Sequence, residues 1–396
     1  MKKIDLPETF LLTEYEEKII EEIDTDTAQK ILSTGIVDIT RKVSGEFILK
    51  ADSKVGFVSA SGIQVNVNPR FPIYNIFYLL GLAREMKFDP KKVSIEQSPD
   101  FLTILFQSFF QSVNDATKKG LIRDYMNLES TTPVLRGRVD FGRQLKRQFG
   151  SMFPLEVSFD DFLEDIPENR ILKRALRISL KFGVLNNRLR SFAQGILFGF
   201  KDVEDVESIQ NWVPSRLNSH YWDALKLAEL IISGNGFSEK LGNVQINGFS
   251  IEMHKVFEDF VARQLVLRAR RDEESVITQK RLALDFAGKY FEKPDIIWYK
   301  HGKPFKVIDT KYKKPDGNSE QKDSMNDLRQ VISYASLLEL REAHIIYGVA
   351  GDARSIQTRQ EGITVFTHGL DLGKSPAEIE SQLDSIVEKL RFDSSL

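Results

Sequence analysis

The chain has 396 residues, 41% hydrophobic and 28% charged, with 55 Lys and Arg against 57 Asp and Glu and a formal charge of -2. That length leaves room for two or three domains, and the near-neutral charge excludes coating of nucleic acid by bulk positive charge, so any DNA contact must be local. The absence of cysteine rules out disulfides, zinc–thiolate sites and cysteine nucleophiles; the best apolar run, residues 71–82, is broken by Pro72 and Asn75 short of bilayer length, and no apolar stretch follows the first lysines, so a soluble cytoplasmic protein with no membrane contact is expected.

Residues 1–92 predict a small β-rich unit. A charged helix is expected over 14–32, and Ile63, Val65 and Val67 alternate with polar residues as a strand that Pro69 stops. Gly45, Gly56 and Gly62 mark turns, and a helix near 74–86 closes the unit.

From 93 to 246 the pattern is helical. Ser98 and Pro99 form a helix start, followed by a wide apolar stripe from Phe101 through Phe106 and Phe110 to Val113, whose spacing is that of core. Further helices are expected over 168–185 and 222–233. Between the first stripe and the helix over 168–185, 135–154 is an exposed basic excursion with Arg136, Arg138, Arg143, Lys146 and Arg147. It reads equally as a solvated loop or as a surface for DNA or a partner.

The third unit, 247–396, opens with an amphipathic helix over 253–270. Strands are expected at 281–286, 295–299 and 305–309, the last two joined by a turn at His301 and Gly302. A polar loop (313–322), a helix (324–340), a strand (344–349) and a last helix begun by the capping box Ser375 to Glu378 complete it. The fold class is therefore α+β and multidomain, with an α/β core at the C-terminal end.

The chemistry concentrates in that core. Asp295 opens one strand and Asp309 closes the next, so the hairpin brings both carboxylates to one end of the sheet. Lys311, two residues on, returns to the face of Asp309. Two carboxylates can hold a divalent cation, Mg²⁺ with Mn²⁺ as substitute, and an ammonium can assist a water attacking phosphorus. Thr310 points away but can offer its carbonyl to the metal. Glu258 on the preceding helix can add an acid, and Gln330 and Tyr334, at i and i+4, share a helix face able to orient a phosphate. Each residue also has a plain reading as a strand end or a helix surface pair.

Taken in order, residues 256–262, Lys293-Pro294-Asp295-Ile296, residues 307–313 and residues 327–334 resemble the successive blocks of the McrC family, nuclease subunits of McrBC-type modification-dependent restriction systems within the PD-(D/E)xK superfamily. Lys293 stands where the family commonly has arginine. Residues 54–69 and 167–173 resemble the family's earlier blocks. The resemblance implies a metal-dependent endodeoxyribonuclease with a PD-(D/E)xK core, working with a McrB-like AAA+ GTPase hexamer that reads modified double-stranded DNA. It also implies that the amino-terminal domain docks on that ring and that GTP hydrolysis is stimulated. Two copies in the cleaving assembly are expected, since two strands are cut. No nucleotide is expected on this chain, because residues 369–375 fall short of a phosphate-binding loop. A stand-alone exonuclease or repair nuclease, and a non-cleaving activator of a motor, are the alternatives.

Overall fold

A computed structural model describes residues 8–21, 23–81, 101–149, 151–182, 185–206, 211–234, 237–241, 244–269, 273–285, 287–312, 320–349, 357–360 and 362–391. The expected helix start at Ser98-Pro99, the loop before residue 320, and residues 82–86 of the helix expected near 74–86 lie outside them. The chain divides into two compact units, Met1–Asp89 with Gly236–Leu396, and Pro90–Asn235.

The amino-terminal part of the first unit contains β1 (Glu8–Thr13), β2 (Glu17–Ile20), α1 (Thr25–Ser33), β3 (Val37–Arg41), β4 (Phe47–Ala51), β5 (Lys54–Ala60), β6 (Ile63–Asn68) and α2 (Ile73–Leu79). The long helix expected over 14–32 is instead a strand, a turn and a shorter helix. Tyr15 takes a left-handed φ of 64°, and α1 starts only where Asp24 accepts a hydrogen bond from Thr27 N at 2.9 Å. Ser61 and Gly62 both have positive φ, as a two-residue hairpin between β5 and β6 requires. Ile31, Leu49, Val58 and Val65 close the core beneath these strands.

The second unit contains α3 (Phe101–Thr117), β7 (Asp124–Thr132), β8 (Arg138–Val139), α4 (Phe141–Arg147), β9 (Leu155–Leu163), α5 (Pro167–Lys181), α6 (Asn187–Phe198) and α7 (Trp222–Gly234). The apolar stripe of α3 is core: Phe106, Phe109, Phe110 and Val113 are fully buried, and Phe106 stacks on Phe182 with centroids 5.5 Å apart. The excursion is more ordered than the sequence suggested. It sits on a long antiparallel pair in which β7 and β9 run together from Asp124↔Leu163 to Thr132↔Leu155. Gln144 of α4 is buried and bonds Ser151 O and Pro154 O while accepting from Glu156 N. Phe141, Leu145, Phe149, Met152 and Phe153 remain exposed.

The first unit resumes with β10 (Phe237–Leu241), β11 (Val244–Glu252), α8 (Met253–Arg268), β12 (Glu274–Thr278), β13 (Leu282–Ala283), β14 (Phe291–Glu292), β15 (Ile296–Lys300), β16 (Lys303–Tyr312), α9 (Glu320–Leu337), β17 (Glu342–Val349), β18 (Gln357–Gln360), β19 (Ile363–Asp371) and α10 (Pro376–Arg391). One sheet has the order β1-β6-β5-β11-β10, another β12-β15-β16-β17-β19-β18. The boundary expected at 246/247 thus falls inside β11, which pairs with β5 and runs straight into α8. Gly56 permits this pairing: its φ is +153°, and a Cβ there would lie 1.9 Å from Phe249 O.

In the six-stranded sheet β15 lies between β12 and β16, and the described residues of the strand expected over 281–286 form the short β13, which pairs with β14. The exposed, alternating β12 carries a weak apolar signal, which is why periodicity passes over it. The two-residue turn at His301 and Gly302, both at positive φ, joins β15 to β16 as expected. The capping box forms: Ser375 N donates to Glu378 Oε2 at 3.0 Å and Glu378 N to Ser375 Oγ at 3.4 Å. The mixed α+β class is borne out. No helix among the described residues is long and apolar enough to cross a membrane.

Candidate active site

The site forms where β16 passes from an antiparallel to a parallel neighbour. Ile296 pairs with Ile308 across the β15–β16 hairpin, so Asp295 and Asp309 stand at the next register step. Asp309 does not close its strand, as the sequence suggested. The strand continues to Tyr312 because Asp309 to Tyr312 pair in parallel with β17, from Ile345 to Gly348. Asp309 is consequently 1% exposed. A cavity of about 260 Å³ is lined by His254, Glu258, Lys293, Asp295, Asp309, Thr310, Lys311, Tyr312, Gln330 and Tyr334. Every site residue expected from sequence is among them.

Each acid is held differently. Asp295 Oδ2 accepts from Thr310 N and Thr310 Oγ1, both at 2.8 Å, so the threonine side chain reaches the site, contrary to the expectation that it points away. Lys311 Nζ lies 2.6 Å from Asp309 Oδ2, a close ion pair at a buried carboxylate. Burial, and then Asp295, push the Asp309 carboxyl up to about 7. For Lys311 burial favours loss of the proton, but the carboxylates of Asp309, Asp327 and Asp295 outweigh it and hold the ammonium protonated. Burial, with Asp295 and Asp259 behind it, raises Glu258.

From Lys311 a chain of hydrogen bonds runs along α9. Lys311 Nζ donates to Gln330 Oε1 at 2.9 Å, and Gln330 Nε2 donates to Tyr334 Oη at 2.6 Å. The i, i+4 pair thus shares one face, and that face meets the lysine.

Gln279 was not singled out in the sequence. It follows β12 in a left-handed conformation with φ of 53°. Its backbone N donates to Asp295 O at 2.9 Å, and its side-chain amide donates to Glu258 and, at 3.1 Å, to Asp295 Oδ1. An uncharged donor therefore bridges two acids that would otherwise repel. The left-handed backbone is the trace of this role, and sequence does not show it. Asp327, one turn before Gln330 and buried, was also missed.

The donor set suits a hard divalent cation. A buried carboxyl whose ionisation is opposed by burial and then by a second carboxylate is what a cation would relieve. Among the described residues no three His, Asp or Glu side chains form a ready-made cage. Two carboxylates with water completing the shell is the usual Mg²⁺ arrangement.

A mixed sheet thus brings acids and a lysine together at one cavity. The family described as McrBC 5-methylcytosine restriction system component matches residues 49–348. That is three quarters of the chain, and the chain belongs to this family, which bears out the McrC-type resemblance. The chain is 28% identical over 210 residues to the Escherichia coli (strain K12) type IV methyl-directed restriction enzyme EcoKMcrBC, covering 50% of this chain and 60% of that protein. It thus spans about three fifths of the length of this curated relative. Its fold is similar to a chain in the half-complex of Thermococcus gammatolerans McrB AAA+ hexamers with bound McrC, with a TM-score of 0.62 and 18% identity over 96% of this chain and all of that one.

Proposed function

We propose that this chain is the DNA-cutting subunit of a McrBC-like, GTP-driven, modification-dependent restriction complex, and that residues 247–396 form a PD-(D/E)xK nuclease core. The juxtaposition of Asp295, Asp309 and Lys311 in one cavity carries this reading. Asp295, Asp309 and the carbonyl of Thr310 would hold Mg²⁺ or Mn²⁺. The ion, when bound, supplies charge neutralisation at the scissile phosphate and a more acidic water.

The protein's own groups do the rest. Lys311, kept protonated by its acidic neighbours, places a positive charge where negative charge grows on the phosphorane. Gln330 fixes the lysine's position and is itself fixed by Tyr334. Glu258, with its proton affinity raised, is placed to accept or return a proton at the edge of the cavity. The half-buried setting limits competing water around these charges, which strengthens each interaction.

The partner is a McrB-like AAA+ GTPase hexamer, with two copies of this chain in the cleaving assembly on modified double-stranded DNA. The exposed Phe141, Leu145, Phe149, Met152 and Phe153 favour the tip of the second unit for docking over the amino-terminal strands. Much of the basic charge there is internally paired: Arg143 bonds Glu129 at 2.8 Å and Glu156 at 3.1 Å, and Arg136 bonds Asp161 at 3.0 Å. That favours an apolar protein contact over DNA at this tip. The test is incubation of the purified chain with circular and linear DNA and Mg²⁺, with and without its GTPase. Cleavage of both substrates only with the partner supports the proposal; processive degradation from ends by the chain alone overturns it.

A further inference from the structure

Between Gln279 and Asp295, both at the site, the chain leaves the sheet as a separate two-stranded hairpin. Leu282 pairs with Glu292 and Ala283 with Phe291. Its turn is tied by Asp285 Oδ1, which accepts from Lys289 N at 2.7 Å and Tyr290 N at 2.9 Å. The hairpin and its feet carry Lys280, Arg281, Lys289 and Lys293, all exposed. None of the four makes an ion pair among the described residues. This contrasts with Arg136 and Arg143, and with Arg268, which bonds Glu380 and Asp384. Arg270 and Arg271, adjacent in sequence to that arginine, lie outside the described residues.

Three of the four cations lie instead against aromatic side chains. The Arg281 guanidinium lies 4.0 Å from the Phe291 ring centroid, Lys289 Nζ lies 5.5 Å from that of Tyr290, and Lys280 Nζ donates to Tyr299 Oη at 2.9 Å. Tyr290 is 59% exposed and Phe291 41%. Exposed cations that form no close ion pair among the described residues, beside a cavity that is itself acidic, answer a specific need. A polyanion must be brought against carboxylates that repel it, by a chain whose overall charge gives no help.

We propose that this hairpin is an arm that grips the duplex DNA backbone beside the scissile phosphate, with Lys280, Arg281 and Lys289 on phosphates and Tyr290 against the sugar or an exposed base edge. The proposal rests on the nuclease reading. Lys293, whose side chain lines the cavity, holds the phosphate nearest the acids. Because the arm's contacts are to phosphate, they add affinity and register without sequence choice.

The test compares the full chain with a Lys280→Ala/Arg281→Ala/Lys289→Ala variant, using a fluorescein-labelled duplex without divalent metal. The expected result is at least about a tenfold loss of affinity at low salt and a salt slope smaller by about two to three, with unchanged thermal unfolding. A Lys280→Arg/Lys289→Arg variant keeps both affinity and slope. Equal affinity and slope in the triple variant overturn the arm, as does a parent chain with no salt-dependent affinity for duplex. A loss confined to binding the GTPase also overturns it, by making the hairpin a protein contact. Cleavage by the parent chain with Mg²⁺ and the GTPase is scored separately: if the parent cuts and the triple variant cuts equally well, the arm falls and the nuclease reading stands. If the parent never cuts, that reading falls by itself.

Discussion

Tyr312 donates its hydroxyl proton to Glu14 Oε2 at 2.7 Å, joining the end of β16 to a residue 298 positions earlier. Tyr15 Oη donates to Tyr312 O at 2.9 Å, and Arg70 N donates to Glu14 Oε2 at 3.1 Å. The Arg70 guanidinium covers both tyrosine rings, 4.5 Å from that of Tyr15 and 5.4 Å from that of Tyr312. The amino-terminal strands therefore anchor β16 just past Lys311. A site that must hold Asp309 and Lys311 in fixed register gains rigidity from this clamp.

Glu14 gives the clamp a pH dependence. Burial pushes its carboxyl up to about 7, against the pull of Tyr312 and Arg70 and with a small push from Asp52. A carboxyl raised in the folded state favours folding while protonated, so its contribution is full below the unfolded value of about 4.5 and is lost as pH rises through 7. Glu14→Gln keeps an acceptor for Tyr312 but cannot ionise. At pH 8 it is expected to be more stable than the parent by on the order of 2 kcal/mol, the difference vanishing near pH 4. Urea unfolding at the two pH values checks this, and a variant less stable at pH 8 contradicts it.

Gln279→Ala removes the amide shared by Glu258 and Asp295 while leaving the backbone bond to Asp295 in place. Among the described residues the Asp295 carboxylate then keeps its Thr310 contacts alone, and its orientation toward a cation loosens. Mn²⁺ affinity, followed by the paramagnetic signal of the free ion, is expected to fall about 10- to 100-fold. Unchanged or tighter binding would mean that the amide competes with the ion instead of preparing its site.

Gly56→Ala tests how the amino-terminal strands join the part of the first unit that begins at β10. The new methyl meets the Phe249 backbone, which cannot yield as a side chain would, and the residue must also hold a φ of +153°. A loss of about 3 kcal/mol or more is expected in chemical denaturation. Parent-like stability would show that β5 and β11 are not paired in register.

The core of this site is legible in sequence because strand alternation and a two-residue turn fix where Asp295, Asp309 and Lys311 point. Helical spacing likewise puts Gln330 and Tyr334 on one face, and the apolar run of α3 announces its own burial. Glu14 and Gln279 are not legible, since each acts through a contact set by tertiary folding and neither carries a local pattern. The β7–β9 pair does carry a local signal, Leu155, Val157 and Phe159 alternating with Glu156, Ser158 and Asp160, but its pairing across the basic segment is set by tertiary folding. Asp309 was misplaced at a strand end because its continuation depends on the parallel partner β17, which sequence does not reveal.

Asp309→Asn is the most direct test of the nuclease assignment. The substitution removes a buried acid that resists ionisation next to Asp295, so the metal-free fold at neutral pH should be no less stable than the parent. DNA cleavage with Mg²⁺ and the AAA+ GTPase is expected to fall by about 10³-fold or more, with stimulation of GTP hydrolysis intact. A variant that still cuts DNA at a parent-like rate would place the catalytic centre elsewhere.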